Sequence, residues 1–526
     1  MKRILILLLC IWALLPASAS TDNTIRIVPR PTSVEVRQGH FELTPATAVV
    51  VTDSRLQGSA ELFADAVQPF TGTRLATTST PAKHAITLQL QPDRFETEEY
   101  LLDVSKKGIV VCASTPQAIL HGLQSLRQLI DNGKIAACVV RDKPCFAYRG
   151  AMLDVCRHFF PVKDIKTYID ILSLHKINKF HWHLSDDQGW RIEIKKYPRL
   201  TQIGSQRKET IVGLNTSGIY DGTPYGGYYT QDDIREIVRY ATERFIDVIP
   251  EIETPGHGLA ALSAYPWLGC EGVSYEPWTH WGVSKDVYCA GKESTFEFLK
   301  NVFTEVLALF PSQLIHIGGD ECPKDRWKVC SHCQQRIREQ GLQNEDELQS
   351  YFVQRIEKWM HAHGREIIGW DEIMQGGISK TANIMTWRSQ ENGIKAARLG
   401  NPVIMTPKWY CYFDYAQTSD PTRYEPLCNT RFVSIRQAYR LDPYDQLAVP
   451  DQKQILGVQC NLWTEYIPDI KQIQHMILPR IAALSEVGWA YDRKDYNNFV
   501  ERLPVMLPIY EAAGYHYAPY LFEGIE

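Results

Sequence analysis

Apolar positions along the chain fall into two regimes. From about Thr21 to Cys145 they form short runs of strand length, among them Ala85 to Leu90, and Tyr100 to Val104 joined through Lys106-Lys107-Gly108 to Ile109 to Cys112. One helix follows, Thr115 to Ile130, in which a Thr cap precedes Ala118, Ile119, Leu123, Leu126 and Leu129 at helical spacing. This segment predicts a small α+β domain, and no cluster of catalytic residue types falls within it.

From Tyr148 onward the pattern changes to apolar runs that each end in polar or aromatic residues. There are eight: Arg149 to Val155, Lys179 to Leu184, Phe245 to Ile252, Leu314 to Ile317, Glu366 to Trp370, Asn383 to Trp387, Pro402 to Met405 and Ile455 to Leu462. Amphipathic segments such as Val162 to His175, Gln231 to Arg244, Ser294 to Leu309 and Asp346 to His363 lie between them, as parallel strands joined by helical crossovers require. The expected fold class is therefore α/β, a (β/α)8 TIM barrel preceded by a small α+β domain. The expected division is 1–19 an export signal, 20–145 the small domain and 146–526 the barrel.

Barrels of this kind carry their active sites at the C-terminal ends of the strands. In strand order those ends supply Asp154, Arg157 and His158; His183, Asp186 and Asp187; Glu251, Glu253 and His257; His316, Asp320 and Glu321. The later four give Trp370 and Asp371, Trp387, Tyr412 and Asp414, and Trp463 and Glu465. Carboxylates and aromatics thus converge on one mouth, without a phosphate-binding loop, a nucleophile elbow or an H-E-x-x-H helix. Metal-free and cofactor-free acid/base chemistry on an uncharged, ring-shaped substrate fits this set best.

Composition narrows the partners. A formal net charge of -5 gives no electrostatic reason to expect nucleic acid or an anionic membrane. Thirteen Trp and 26 Tyr mean either a large aromatic core or faces that stack on sugar rings. The first residues, Lys2 and Arg3, an apolar run to Pro16 and then Ala17-Ser18-Ala19, read as a cleavable export signal, which places the mature protein in the periplasm or outside the cell. A lipid anchor at Cys10 is disfavoured by bulky Leu9 before it, and no other stretch stays apolar long enough to span a bilayer. Twelve cysteines remain after cleavage. Cys330 and Cys333 form a C-x-x-C around His332, with Cys322 upstream, but a second paired motif is missing, so a local disulfide or buried thiols are favoured over zinc.

Five segments resemble family 20 glycoside hydrolases, the β-N-acetylhexosaminidases. They are His181 to Arg191 (HWHLSDDQGWR), Glu251 to His257 (EIETPGH), His316 to Glu321 (HIGGDE), Gly369 to Glu372 (GWDE) and Asn461 to Glu465 (NLWTE), in order across the barrel. The small N-terminal domain also looks like the one that commonly precedes this family's barrel. The resemblance implies a glycan substrate ending in β-linked N-acetylglucosamine or N-acetylgalactosamine, and substrate-assisted catalysis. Glu321 would be the general acid/base, and Asp320 would hold the acetamido N–H and stabilise the oxazolinium ion. Trp370, Trp387 and Trp463 would wall the acetamido pocket, and Tyr412 would donate to its carbonyl oxygen. Arg157 and Glu465 would grip the 3- and 4-hydroxyls, and Asp414 the 6-hydroxyl. His257 and Asp187 would support the acid, although Asp186 could take the place of Asp187. His316 is expected to pack beneath the Gly-Gly turn. The sequence departs from the commonest family pattern at Glu253, where Asp is frequent, and at Cys156, where Ser is frequent. A same-family enzyme of different selectivity, disaccharide-releasing or specific for sulfated sugar, and a carbohydrate-binding protein on a decayed barrel are the competing readings; intact Asp320, Glu321 and Tyr412 argue against the last.

Overall fold

The computed structural model describes residues 25–525. The export signal read at residues 1–19 lies outside the described residues. Among the described residues no helix is long and apolar enough to cross a membrane.

The barrel is closed by eight parallel strands: β1 (Tyr148–Asp154), β2 (Lys179–His183), β3 (Asp247–Glu251), β4 (Leu314–His316), β5 (Glu366–Trp370), β6 (Asn383–Thr386), β7 (Val403–Met405) and β8 (Ile455–Leu462). Each pairs with its neighbours in sequence and β8 closes on β1, so all eight apolar runs became strands of one barrel. Amphipathic crossovers Val162–Leu174, Gln231–Thr242, Glu293–Leu309 and Glu345–Ala362 cover the first four connections. Their buried stripes, such as Ile234, Ile237 and Ala241 in the second, account for the helical periodicity. The β5–β6 link is only a 3-10 turn, Asp371–Met374, whereas β7 and β8 are separated by a long excursion that carries Tyr412 and Asp414.

The barrel interior is not uniformly apolar. Tyr148, Ile249, Ile368, Trp370, Met385 and Ile404 form one buried cluster. Beside it Glu251, fully buried, accepts from His181 Nε2 at 2.9 Å and from Trp370 Nε1 at 2.8 Å, pairs with His183 Nδ1, and lies 2.8 Å from His316 Nδ1. Burial would protonate Glu251, but the three imidazoles overcome it and hold its carboxyl well below the usual range. His316 is fully buried, as its place inside an apolar strand predicts.

The preceding domain is a seven-stranded sheet spanning Ser33 to Asp142. The expected helix is present as Pro116–Gln128, with the Thr115 hydroxyl accepting from the Ala118 amide at 3.2 Å. A second helix, Gln57–Thr71, was not expected, although Ala60, Phe63, Ala64 and Val67 are buried along it at helical spacing. Gly58 and Pro69 near its two ends weaken that signal.

Trp489 and Ala490, from the second helix after β8, Arg480–Ala490, belong to the small domain's core. The joint is polar as well as apolar. Asp142, fully buried, accepts from Tyr100 Oη at 2.8 Å and Lys176 Nζ at 3.2 Å through one oxygen, and from Trp489 Nε1 at 2.9 Å through the other. Burial pushes the Lys176 ammonium down to about 8 against the pull of Asp142. Asp142→Asn leaves that cation uncompensated, and the expected loss of unfolding free energy at pH 6 is about 3–5 kcal/mol. Because a lysine with a depressed pKa destabilises the fold only while protonated, the loss should shrink as pH rises towards 10. Urea unfolding at both pH values checks this, and an equal loss at both would refute the role given to Lys176.

Candidate active site

The mouth of the barrel holds a cavity of about 250 Å³, lined by residues that include Arg157, Asp186, His257, Asp320, Glu321, Trp387, Tyr412, Asp414, Trp463 and Glu465. A larger cleft of about 930 Å³ lies between Ile25–Arg26 and Pro504–Ile509, but it gathers only Asp131 among carboxylates and no histidine other than His40. Of the two, the smaller cavity is the one that gathers acids and bases.

Asp320 and Glu321 reach the mouth through the turn after β4. Gly318 and Gly319 have φ of +72° and +103°, and a Cβ at Gly318 would lie 1.8 Å from Glu253 Oε2. The turn thus requires glycine both for its left-handed backbone and for the approach of Glu253. Glu253 is fully buried with no hydrogen-bond partner on either carboxyl oxygen. Burial, with the charges of Asp320 and Glu251, keeps it protonated. The extra methylene relative to Asp is what carries its carboxyl against the turn.

The two adjacent acids converge on one imidazole. His257 Nε2 lies 3.8 Å from Asp320 Oδ2 and 3.6 Å from Glu321 Oε2. On its other face, His257 Nδ1 is 3.2 Å from Asp187 Oδ2 and 3.3 Å from Asp186 Oδ1. Burial alone would neutralise this histidine, but Asp186, Asp187 and Glu321 hold it protonated. The choice between the two aspartates thus resolves into both. Asp187 is held by backbone, its carboxylate accepting the amides of Leu259 and Ser284 at 3.1 Å each. Asp186 instead lines the cavity and bonds His183 Nε2 at 2.9 Å.

The proton distribution in the free site is the reverse of what an acid at Glu321 needs. Burial, then the charge of Glu321, push Asp320 up to about 7, while the His257 hydrogen bond holds Glu321 below the usual range. Asp320 is nearly buried, its side chain 11% exposed, whereas that of Glu321 is 41% exposed.

The remaining expected residues divide by depth. Trp387 and Trp463 are half-buried walls of the cavity, with the Tyr412 ring 6.1 Å from the first and 6.3 Å from the second. Trp370 is one layer lower, 5.9 Å from Trp463, and its indole N–H is committed to Glu251. Arg157 is held by Asp154 at 3.2 Å, Asp186 at 3.0 Å and Gln188 at 3.0 Å, with its guanidinium 5.0 Å from the Trp463 ring. It is both the buried ion pair and a cavity residue. Asp414 has one carboxyl oxygen without a partner, and burial beside Glu465 raises its pKa well above the usual range. Burial also raises Glu465, against the pull of Arg157.

Lys408, Tyr415, Asn429 and Arg431 also line the cavity and were not expected there. They come from the β7–β8 excursion, where no strand or helix periodicity marks a position as facing inward. Glu372, which accepts from Trp387 Nε1 at 3.0 Å and is pushed up to about 9 by burial and by Asp320, was inside a quoted motif but assigned no role.

A (β/α)8 barrel whose mouth combines paired acids, a shared histidine and tryptophan walls is the arrangement expected of a glycoside hydrolase. Comparison with known proteins agrees. The sequence model of the glycosyl hydrolase family 20 catalytic domain matches residues 146–492, and that of the same family's domain 2 matches residues 24–143. The chain belongs to glycosyl hydrolase family 20. It is 42% identical over 499 residues to a beta-hexosaminidase of Porphyromonas gingivalis, covering 92% of this chain and 63% of that protein, so it spans less than two thirds of that relative. A beta-hexosaminidase of Vibrio furnissii is 36% identical over 89% of this chain and 77% of its own length. Among solved structures, the family 20 exo beta-N-acetylglucosaminidase of Vibrio harveyi in complex with N-acetylglucosamine superposes with a TM-score of 0.84 at 30% identity, over 93% of this chain and 78% of that one. The family 20 beta-N-acetylhexosaminidase of Streptomyces coelicolor A3(2) gives 0.82 at 33% identity, over 94% and 97%.

Proposed function

We propose that this chain is a retaining exo-β-N-acetylhexosaminidase that removes terminal β-linked N-acetylglucosamine or N-acetylgalactosamine by substrate-assisted catalysis. The observation that carries the reading is the shared histidine. An acid and a nucleophile must stand on opposite faces of the sugar ring. Here Asp320 Oδ2 and Glu321 Oε2 come from consecutive residues and both lie within 4 Å of one atom, His257 Nε2, an arrangement that supports a place on the same side of the ring rather than on opposite ones. The nucleophile is then the substrate's own 2-acetamido oxygen. Glu321, the more exposed acid, protonates the leaving oxygen as the C–O bond breaks, and later takes a proton from the water that opens the oxazolinium ring. Asp320 accepts the acetamido N–H and faces the developing positive charge.

A cavity of about 250 Å³ is small beside the roughly 300–1,000 Å³ of drug-sized sites, which favours one terminal sugar over a disaccharide. Export of the mature chain, read from residues 1–19, is part of the proposal and brings the enzyme to glycans outside the cytoplasm.

The test compares release from aryl β-N-acetylglucosaminide, β-N-acetylgalactosaminide and plain β-glucoside. Both acetamido sugars should be cleaved, and the plain glucoside at least about 10³-fold more slowly, since it lacks a preplaced nucleophile. Equal activity on the glucoside would sink the mechanism.

A further inference from the structure

Away from the barrel mouth, four cysteines that are widely spaced in sequence meet at one point. Cys270, Cys289, Cys330 and Cys333 place their sulfurs within 4.8 Å of one another. The separations are 3.6 Å for Cys289–Cys333, 3.7 Å for Cys289–Cys330 and 3.8 Å for Cys270–Cys333. The C-x-x-C was read from the sequence with Cys322 and His332 beside it; neither belongs to this group of four. The missing second pair is Cys270 and Cys289, 19 residues apart in the numbering and so invisible as a motif.

The backbone builds the group from two sides. An antiparallel bridge between Gly269 and Tyr288, with the Cys289 amide donating to the Leu268 carbonyl at 2.8 Å, sets Cys270 and Cys289 side by side. Cys330 is the N-cap of helix Ser331–Gln340, and Cys333 lies in its first turn. Gly291 lets the two sides close up, since a Cβ there would lie 2.4 Å from the Cys333 amide nitrogen. The helix N-terminus favours negative charge on both of its sulfurs.

Sulfur spacing decides what the group is for. Cys289 has two sulfur neighbours at nearly equal distance, and so does Cys333, whereas a disulfide pairs each sulfur with one partner at about 2.05 Å. The other three pairs lie within 4.8 Å, and a regular tetrahedron with edges like the three short ones has its centre about 2.3 Å from each corner, which is the zinc–thiolate bond length. We propose that Cys270, Cys289, Cys330 and Cys333 bind one structural zinc ion. Binding expels the four thiol protons to solvent and leaves a doubly negative centre. All four positions are filled by protein, so the site is closed to substrate and its role is mechanical. It clamps the excursion after β3 to the segment after β4. That excursion also carries the Trp278 amide, which donates to the Asp187 carbonyl at 3.0 Å, and the Ser284 amide, which donates to the Asp187 carboxylate at 3.1 Å. The metal thereby steadies one of the two aspartates that hold His257.

The test uses the full chain, produced without a polyhistidine tag in zinc-supplemented medium. Elemental mass spectrometry should find about one zinc per chain after gel filtration, released when a mercurial reagent titrates the thiols. Cys330→Ser and Cys333→Ser should lose the zinc, and Cys322→Ser should keep it. Should the first two variants fail to fold, the wild-type chain still decides: its native mass must exceed its denatured mass by one zinc less the protons displaced. Zinc-free protein with a mass two hydrogens lower for each disulfide overturns the proposal. So does iron in place of zinc, or four free thiols that take up no zinc on reconstitution.

Discussion

Glu321→Gln should lower kcat/KM by about 10²–10⁴ for an N-acetylhexosaminide with a poor, alkyl leaving group, and by much less for an activated aryl one. The amide fills the same space and can still meet His257, which approaches Glu321 Oε2 at 3.6 Å, but it carries no proton that it can give up. An alkoxide leaving group needs that proton in the transition state; a nitrophenolate does not. The pattern across leaving groups is therefore more informative than the size of any one loss. Steady-state kinetics on a graded aryl and alkyl series would show a steep dependence on leaving-group pKa in the variant and a shallow one in the native chain. A uniform loss across the series would mean that Glu321 positions substrate and that the acid is elsewhere.

The barrel was legible because parallel strands are buried on both faces and read as largely apolar runs, such as Ile367 and Ile368 of Glu366–Trp370. The site's outline was legible because strand ends point to one mouth. What the sequence left open was depth and commitment. Trp370 and Trp387 look alike at strand ends, yet the first spends its N–H on Glu251 deep in the barrel and the second on Glu372 at the mouth. Asp186 and Asp187 are neighbours in a run and both reach His257, yet the first turns to Arg157 and His183 at the cavity and the second to the amides of Leu259 and Ser284. The cysteine cluster stayed hidden for a further reason: its first pair is joined by a bridge between loops, and loop-to-loop bridges leave no periodicity.

Asp320→Asn should lower kcat/KM by about 10²–10³, the usual cost of one group that stabilises developing charge, and should also move the pH profile. In the free enzyme Asp320 and Glu321 share one proton over the pH range between their ionisations. It rests on Asp320, which burial pushes up to about 7, because His257 keeps Glu321 ionised. The proposed mechanism needs the same single proton on Glu321. Under the proposed mechanism a bound sugar would supply the bias: it would desolvate the exposed Glu321 carboxyl and offer Asp320 an N–H, each of which moves the proton in the required direction. Activity in the native chain should therefore be lost as pH rises through about 7, where the pair gives up its last proton. In the Asn variant the only proton left is that of Glu321, so the alkaline limb of kcat/KM should fall below the usual carboxylate range. Stability should move the opposite way. A carboxyl with a raised folded pKa weakens the fold as pH climbs from its unfolded value through its folded one, so the Asn variant should unfold at a higher temperature than the native chain at pH 8. An alkaline limb that stays near 7 in the variant would assign that ionisation to another group and end the shared-proton account.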